Sequence, residues 1–145
     1  MYKRLLVPVD GTELSERAMH GSIELARKLG ASITGFVAEP FVQSPIEADT
    51  GHAHRHIWRD SDAQQHAQGV LSLFQTLAAE AGVSFTGHKT QSAQVAEAIV
   101  AAAAKYGCDT IVMASHQRNA LSELLWGSHA REVMSHTALP VLVLR

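Results

Sequence analysis

An open α/β fold is predicted for this chain: a five-stranded, mostly parallel sheet with helices on both faces. Short apolar runs alternate with segments of helical period along the whole length, glycines punctuate the ends of the helical segments, and no internal repeat or low-complexity tract competes. Strand and helix in alternation require crossover connections. These are right-handed, so successive strands lie parallel and the helices cover the sheet.

Lys3 to Val9 reads as a short buried strand rich in Leu and Val, and Pro8 near its end cannot extend a central ladder. The strand stops at Asp10-Gly11. Thr12 is a good N-cap for a helix from Glu13 to Leu29, with Leu14, Ala18, Leu25 and Leu29 at helical spacing and Gly30 as its terminator. Ser32 to Ala38 supplies a second strand through Ile33, Phe36 and Val37, after which Pro40 and Pro45 break regular structure. An irregular segment is expected from about Glu39 to Asp60, longer than most connections in compact domains.

Periodicity returns with Ala67, Val70, Leu71, Phe74, Leu77, Ala78 and Ala81, a helix face closed by Gly82, and Val83 to Gly87 follows as a brief strand. Val95, Ala96, Ile99, Val100 and Ala103 give the next helix its apolar face, and Gly107 stops it. Thr110 to Met113 is the fourth strand and Val141 to Leu144 the fifth. Between them a helix from about Gly127 to His136 turns Ala130, Val133 and Met134 inward, with Pro140 at its exit.

At 145 residues the chain fits one domain over 1–145, and folding buries roughly 70% of the surface its unfolded form exposes. Hydrophobic content of 46% with 18% charged residues implies a packed core. A formal charge of −2 without a long basic run excludes the electrostatic footprint of a nucleic-acid binder. Nine histidines make that charge acid-sensitive, since full protonation moves it toward about +7. Cys108 is the single cysteine, so no intrachain disulfide or CxxC site forms. With no signal-like or membrane-length apolar segment, the expected location is the cytoplasm.

In open sheets of this kind ligands settle outside the carboxyl ends of the strands, where the strand order switches. Three connections leave such ends: Pro8-Val9-Asp10-Gly11, Val37-Ala38-Glu39, and Ala114 to Ser128. Asp10 supplies a carboxylate there. It can accept hydrogen bonds from a ribose or a base amine, or it can cap the following helix through backbone N–H groups. Gly127-Ser128 opens the last helix, and N–H groups at a helix start lack intrahelical partners and attract anions. That pair is a candidate phosphate cradle, although the loop from Ala114 to Asn119 carries no glycine.

The opening KRLLVPVDGTELSERAM and the final third, with Met113, Ser115, Arg118, Leu121, Ser122, Leu124, Leu125, Gly127, Ser128 and Pro140-Val141-Leu142-Val143 in register, resemble the universal stress protein family from end to end. The resemblance implies a Rossmann-like sheet in the order 3-2-1-4-5, similar to the adenine nucleotide alpha hydrolases. It also implies a homodimer formed by antiparallel pairing of the Val141 to Leu144 strands, which would cover an apolar edge. ATP-binding members carry G-x2-G-x9-G-[ST] in the loop after the fourth strand. Here Ala114 and Gln117 replace the first two glycines, and Gly127 with Ser128 retains the third. If position 117 needs a positive φ, Gln117 costs about 1 kcal/mol of strain, less than a tenfold change in affinity.

The ligand implied is ATP or another adenine nucleotide, held weakly, with magnesium as its companion ion. The site implied by resemblance draws on Pro8, Val9, Asp10, Val37, Met113, Ala114, His116, Arg118, Gly127, Ser128 and His129. Val37 main chain and Asp10 would read adenine and ribose, and the Gly127-Ser128 backbone and Ser128 hydroxyl would take phosphates.

Other constellations carry bland readings. His52, His54 and His56 alternate in GHAHRH, so an extended backbone would place three imidazoles on one side, with His66 to complete a zinc or nickel site; a solvated loop is the alternative that the absence of a scaffold favours. Trp58 with Arg55 and Arg59 sits beside acidic Asp60 and Asp62 and reads as packing or solvation. No GxSxG elbow or Walker lysine occurs, so hydrolysis is slow at most. Cys108 precedes a buried strand and reads as core. The expected protein is therefore a dimeric stress-response module of regulatory or protective kind. The rival is an interaction protein with a degenerate cleft that engages an unknown protein partner through residues 39–60.

Overall fold

The computed structural model describes residues 1–39, 53–115 and 128–145, with side chains throughout these except at 53–62 and at Ser128. Nine elements alternate in chain order: β1 (Arg4–Pro8), α1 (Glu13–Leu29), β2 (Ser32–Glu39), α2 (Ala53–Glu80), β3 (Phe85–Gln91), α3 (Val95–Lys105), β4 (Thr110–Ala114), α4 (Ser128–His136) and β5 (Val141–Leu144). All four strand pairings are parallel, and the order across the sheet is β3-β2-β1-β4-β5. This is the predicted architecture. No described helix is long and apolar enough to cross a membrane.

The two-residue period of a central strand divides the core into two clusters. Leu5 and Val7 of β1 and Val9 just past it join Met19 and Ile23 of α1 and Val70, Leu71 and Phe74 of α2 on one face. Leu6 points the other way, with Phe36, Ile111 and Met113, toward Ile99 and Ala103 of α3 and Val133 of α4. Phe74 is fully buried and packs tilted at 56° against Phe85, ring centroids 4.9 Å apart, a geometry that aromatic quadrupoles favour. The amino ends of β1 and β4 are tied by Asp109, whose carboxylate accepts the N–H groups of Lys3 (2.9 Å) and Arg4 (3.3 Å) and the Thr110 hydroxyl (3.1 Å).

Four expectations need correction. In α1 the inward face is carried by Ser15, Ala18, Met19, Ser22, Ile23 and Ala26, while Leu29 is exposed and Leu25 only flanks the core. Small side chains let the helix lie close to the sheet: a Cβ on Gly21 would come within 2.6 Å of Leu144 Cδ1. The third strand starts at Phe85 rather than Val83, because the Val83 N–H is engaged by the Ala78 carbonyl at the end of α2 (2.9 Å). It then runs on to Gln91 through polar residues, as an edge strand can, with Thr86, Gly87, Lys89 and Thr90 exposed. Met134 is exposed, and Ala130 and Val133 alone of the expected α4 residues are buried.

The fourth correction concerns the irregular segment. Helix α2 begins at Ala53, so residues 53–60 are helical and only 40–52 lie outside the described residues. HRHIWRDSD offers little apolar period, which hid the start of this helix from the sequence. The extended spacing invoked for His52, His54 and His56 also falls. Positions 54 and 56 of a helix lie about 200° apart around its axis, and His52 is outside the described residues.

Candidate functional site

Parallel pairing brings the strand ends together. Pro8 is level with Phe36, and the Val9 N–H donates to the Phe36 carbonyl at 2.9 Å. On the other side Leu5 and Leu6 pair with Thr110 and Ile111, a register that extends to place Val9 level with Ala114. Pro8, Val9, Val37, Met113 and Ala114 therefore gather at one edge of the sheet, where β1 separates β2 from β4. Val9, Val37 and Met113 bury their side chains in the core clusters, so only their backbones are candidates for ligand contact. Ser115, just past β4, is buried and directs its N–H to the Leu144 carbonyl at 2.9 Å.

Asp10 is exposed at this edge. Its Oδ1 accepts the Thr12 hydroxyl (2.6 Å), the Thr12 N–H (3.0 Å) and the Ser15 hydroxyl. Its own N–H donates to Ser15 Oγ at 2.6 Å. The helix-capping reading thus holds for one oxygen of the carboxylate; Oδ2 has no hydrogen bond among the described residues. Partial burial works against ionisation, but the Ser15 and Thr12 hydroxyls and the backbone N–H groups outweigh it and hold the carboxyl below its usual range. Asp10 is therefore ionised at neutral pH, with Oδ1 held by Thr12 and Ser15 at the carboxyl ends of the strands.

Thr12 is the N-cap, as the sequence reading has it, its hydroxyl accepting the Ser15 N–H at 3.4 Å. Ser15 was missed. Its buried hydroxyl both donates to Asp10 and accepts from it, and the D-x4-S spacing at a helix start is the signal that could have found it. Ser128 heads α4, leaving first-turn N–H groups without intrahelical partners, and its side chain is outside the description; His129 follows, exposed. His116, Gln117, Arg118 and Gly127 lie outside the described residues. Among the described residues no group of three metal-ligating side chains forms. His66, the expected fourth ligand, instead sets its Nε2 3.0 Å from the Asp10 carbonyl.

A cavity of about 670 Å³ lies between α1 and the end of β5, lined by Glu13, Glu16, Arg17, His20 and Leu144 among others. None of Asp10, Val37, Met113 or Ala114 borders it, and the strand-end chemistry argues for the carboxyl ends of the strands rather than for this cavity.

A model of the universal stress protein family matches residues 1–145. A universal stress protein of Methanocaldococcus jannaschii is 27% identical over 150 residues, a match covering 100% of this chain and 83% of that protein. Two solved structures share the fold. A universal stress protein in complex with cAMP superposes with a TM-score of 0.70 at 20% identity, over 99% of this chain and 97% of that one. The universal stress protein of Archaeoglobus fulgidus in complex with dAMP gives 0.65 at 21% identity, over 99% and 98%.

Proposed function

Because the chain belongs to the universal stress protein family, we propose that it is a dimeric, cytoplasmic stress-response module, regulatory or protective in role, whose strand-end crevice takes an adenine nucleotide. The observation that carries the reading is Asp10: a carboxylate held ionised at the carboxyl edge of the sheet, with one oxygen fixed by Thr12 and Ser15 and the other without a hydrogen bond among the described residues. A ribose diol or an adenine amine is the matching donor. The start of α4 offers backbone N–H groups of the kind that suit phosphate. The related folds solved with cAMP and dAMP support the same ligand class. Ala114 and Gln117 stand where ATP-binding members have glycine, so the affinity is lower than in those members.

Dimerisation through β5 rests on the exposure of Leu142 and on that strand's pairing only with β4 among the described residues. Calorimetry with ATP and AMP, with and without magnesium, tests the nucleotide reading. Asp10→Asn is expected to weaken binding about tenfold or more, the worth of a charged hydrogen bond, and Gln117→Gly to strengthen it. No saturable heat from the wild type at millimolar nucleotide would favour the interaction protein with a degenerate cleft. Light scattering of Leu142→Asp, expected to be monomeric, tests the dimer.

A further inference from the structure

The turn that carries Asp10 is held from two helices. The Asp10 N–H is bonded to Ser15 of α1, and the Asp10 carboxylate is gripped by Thr12 and Ser15. The Asp10 carbonyl is met instead by His66 of α2, with Nε2 at 3.0 Å. A carbonyl oxygen can only accept, so Nε2 carries the proton and donates. Gly11 follows at φ +83°, and a Cβ there would lie 2.9 Å from both His66 Nε2 and Val70 Cγ2. Helix α2 is thus seated directly on the turn, and glycine is what admits it.

We propose that His66 is a positioning residue for the Asp10 carboxylate. By fixing the Asp10 carbonyl it fixes the peptide plane from which the side chain leaves, and so the direction of the carboxylate. The bond joins the crevice to α2 across 56 residues of sequence, so any partner or ligand that shifts α2 alters the Asp10 geometry. The ligand-binding consequence rests on the nucleotide reading above, whereas the hold on the turn does not.

His66 is exposed, so its replacement removes little buried surface and leaves folding intact. The test compares wild type, His66→Ala and His66→Gln, whose amide nitrogen can reach the position of Nε2. Amide hydrogen exchange across residues 9–12 and ATP affinity by calorimetry are read together, with melting temperature as the control. In His66→Ala the exchange is expected to quicken and ATP affinity to fall about three- to tenfold, the worth of one hydrogen bond, with the melting temperature lowered by only about 2–5 °C. His66→Gln is expected to restore both. Unchanged exchange in His66→Ala, or equal losses in the two variants, overturns the proposal. If the wild type binds no ATP at millimolar concentration, the nucleotide reading falls with its consequence for His66. The exchange comparison then decides the hold on the turn alone, by the same criteria.

Discussion

Replacing Gly11 by alanine puts the packing of the Asp10 turn to a quantitative test. At φ +83° an L-residue is strained by about 1–2 kcal/mol. The added methyl would also lie 2.9 Å from Val70 Cγ2 and from His66 Nε2, closer than carbon and nitrogen normally approach. Val70 is buried and cannot swing away freely, whereas the imidazole is the far end of an exposed side chain and can yield. If it does, the bond to the Asp10 carbonyl goes with it, worth about 1 kcal/mol. The combined cost is about 2–4 kcal/mol, which for a chain of this size lowers the melting temperature by about 5–15 °C. Urea unfolding followed by circular dichroism measures the same quantity. In a His66→Ala background part of the clash and the whole of that bond are already absent. The cost of Gly11→Ala should then fall by about 1 kcal/mol, a coupling that a double-mutant cycle resolves. A Gly11→Ala protein within about 0.5 kcal/mol of wild type, or a cycle with no coupling, would refute the seating of α2 on the turn.

Gly35 gives a parallel case inside the sheet, since a Cβ there would lie 2.6 Å from Phe85 Cζ and 3.1 Å from Phe74 Cδ1. Gly35→Ala should cost about 1–3 kcal/mol by urea unfolding and be partly rescued by Phe85→Leu; an unshifted midpoint would show the aromatic pair to be loose. Stability toward acid should follow Asp10 and Asp109. Burial raises the pKa of each, but their hydrogen bonds to hydroxyls and N–H groups prevail and leave both folded-state values below the ordinary carboxylate range. Their contribution is therefore complete above the unfolded value near pH ~4 and is lost as pH falls below it toward the folded values. Asp109→Asn should flatten that decline without altering behaviour between pH 6 and 7. An identical acid transition in the mutant would remove Asp109 from the account. Cys108 is buried, and desolvation pushes its thiol up despite the Thr34 contact, so iodoacetamide should label it slowly in the native protein and fully in urea. Rapid native labelling would contradict its burial.

The features legible in the residues alone are those set by neighbours in sequence. Thr12, Gly30, Gly82 and Gly107 mark helix boundaries because capping and positive φ are local requirements, and all four sit where they were expected. The alternation of strand and helix then sufficed for a parallel sheet, and Asp10 was identifiable because it follows a strand directly. The order 3-2-1-4-5 came from family resemblance instead, and the pairings bear it out.

What tertiary structure decided depends on residues far apart in the chain. The burial of Ser15 and Ser22 in place of Leu29 follows from how closely α1 lies on the sheet, a distance no periodicity encodes. The start of α2 at Ala53 was hidden because a polar helix carries no apolar stripe. The two oxygens of Asp10, one engaged by Thr12 and Ser15 and one without a hydrogen bond among the described residues, needed atomic positions to separate. Its link to His66, which sequence spacing had offered to a metal, arises only once folding has laid α2 across the turn. Local chemistry chose the elements; the distances between them, set by side-chain volume and packing, chose which atoms meet.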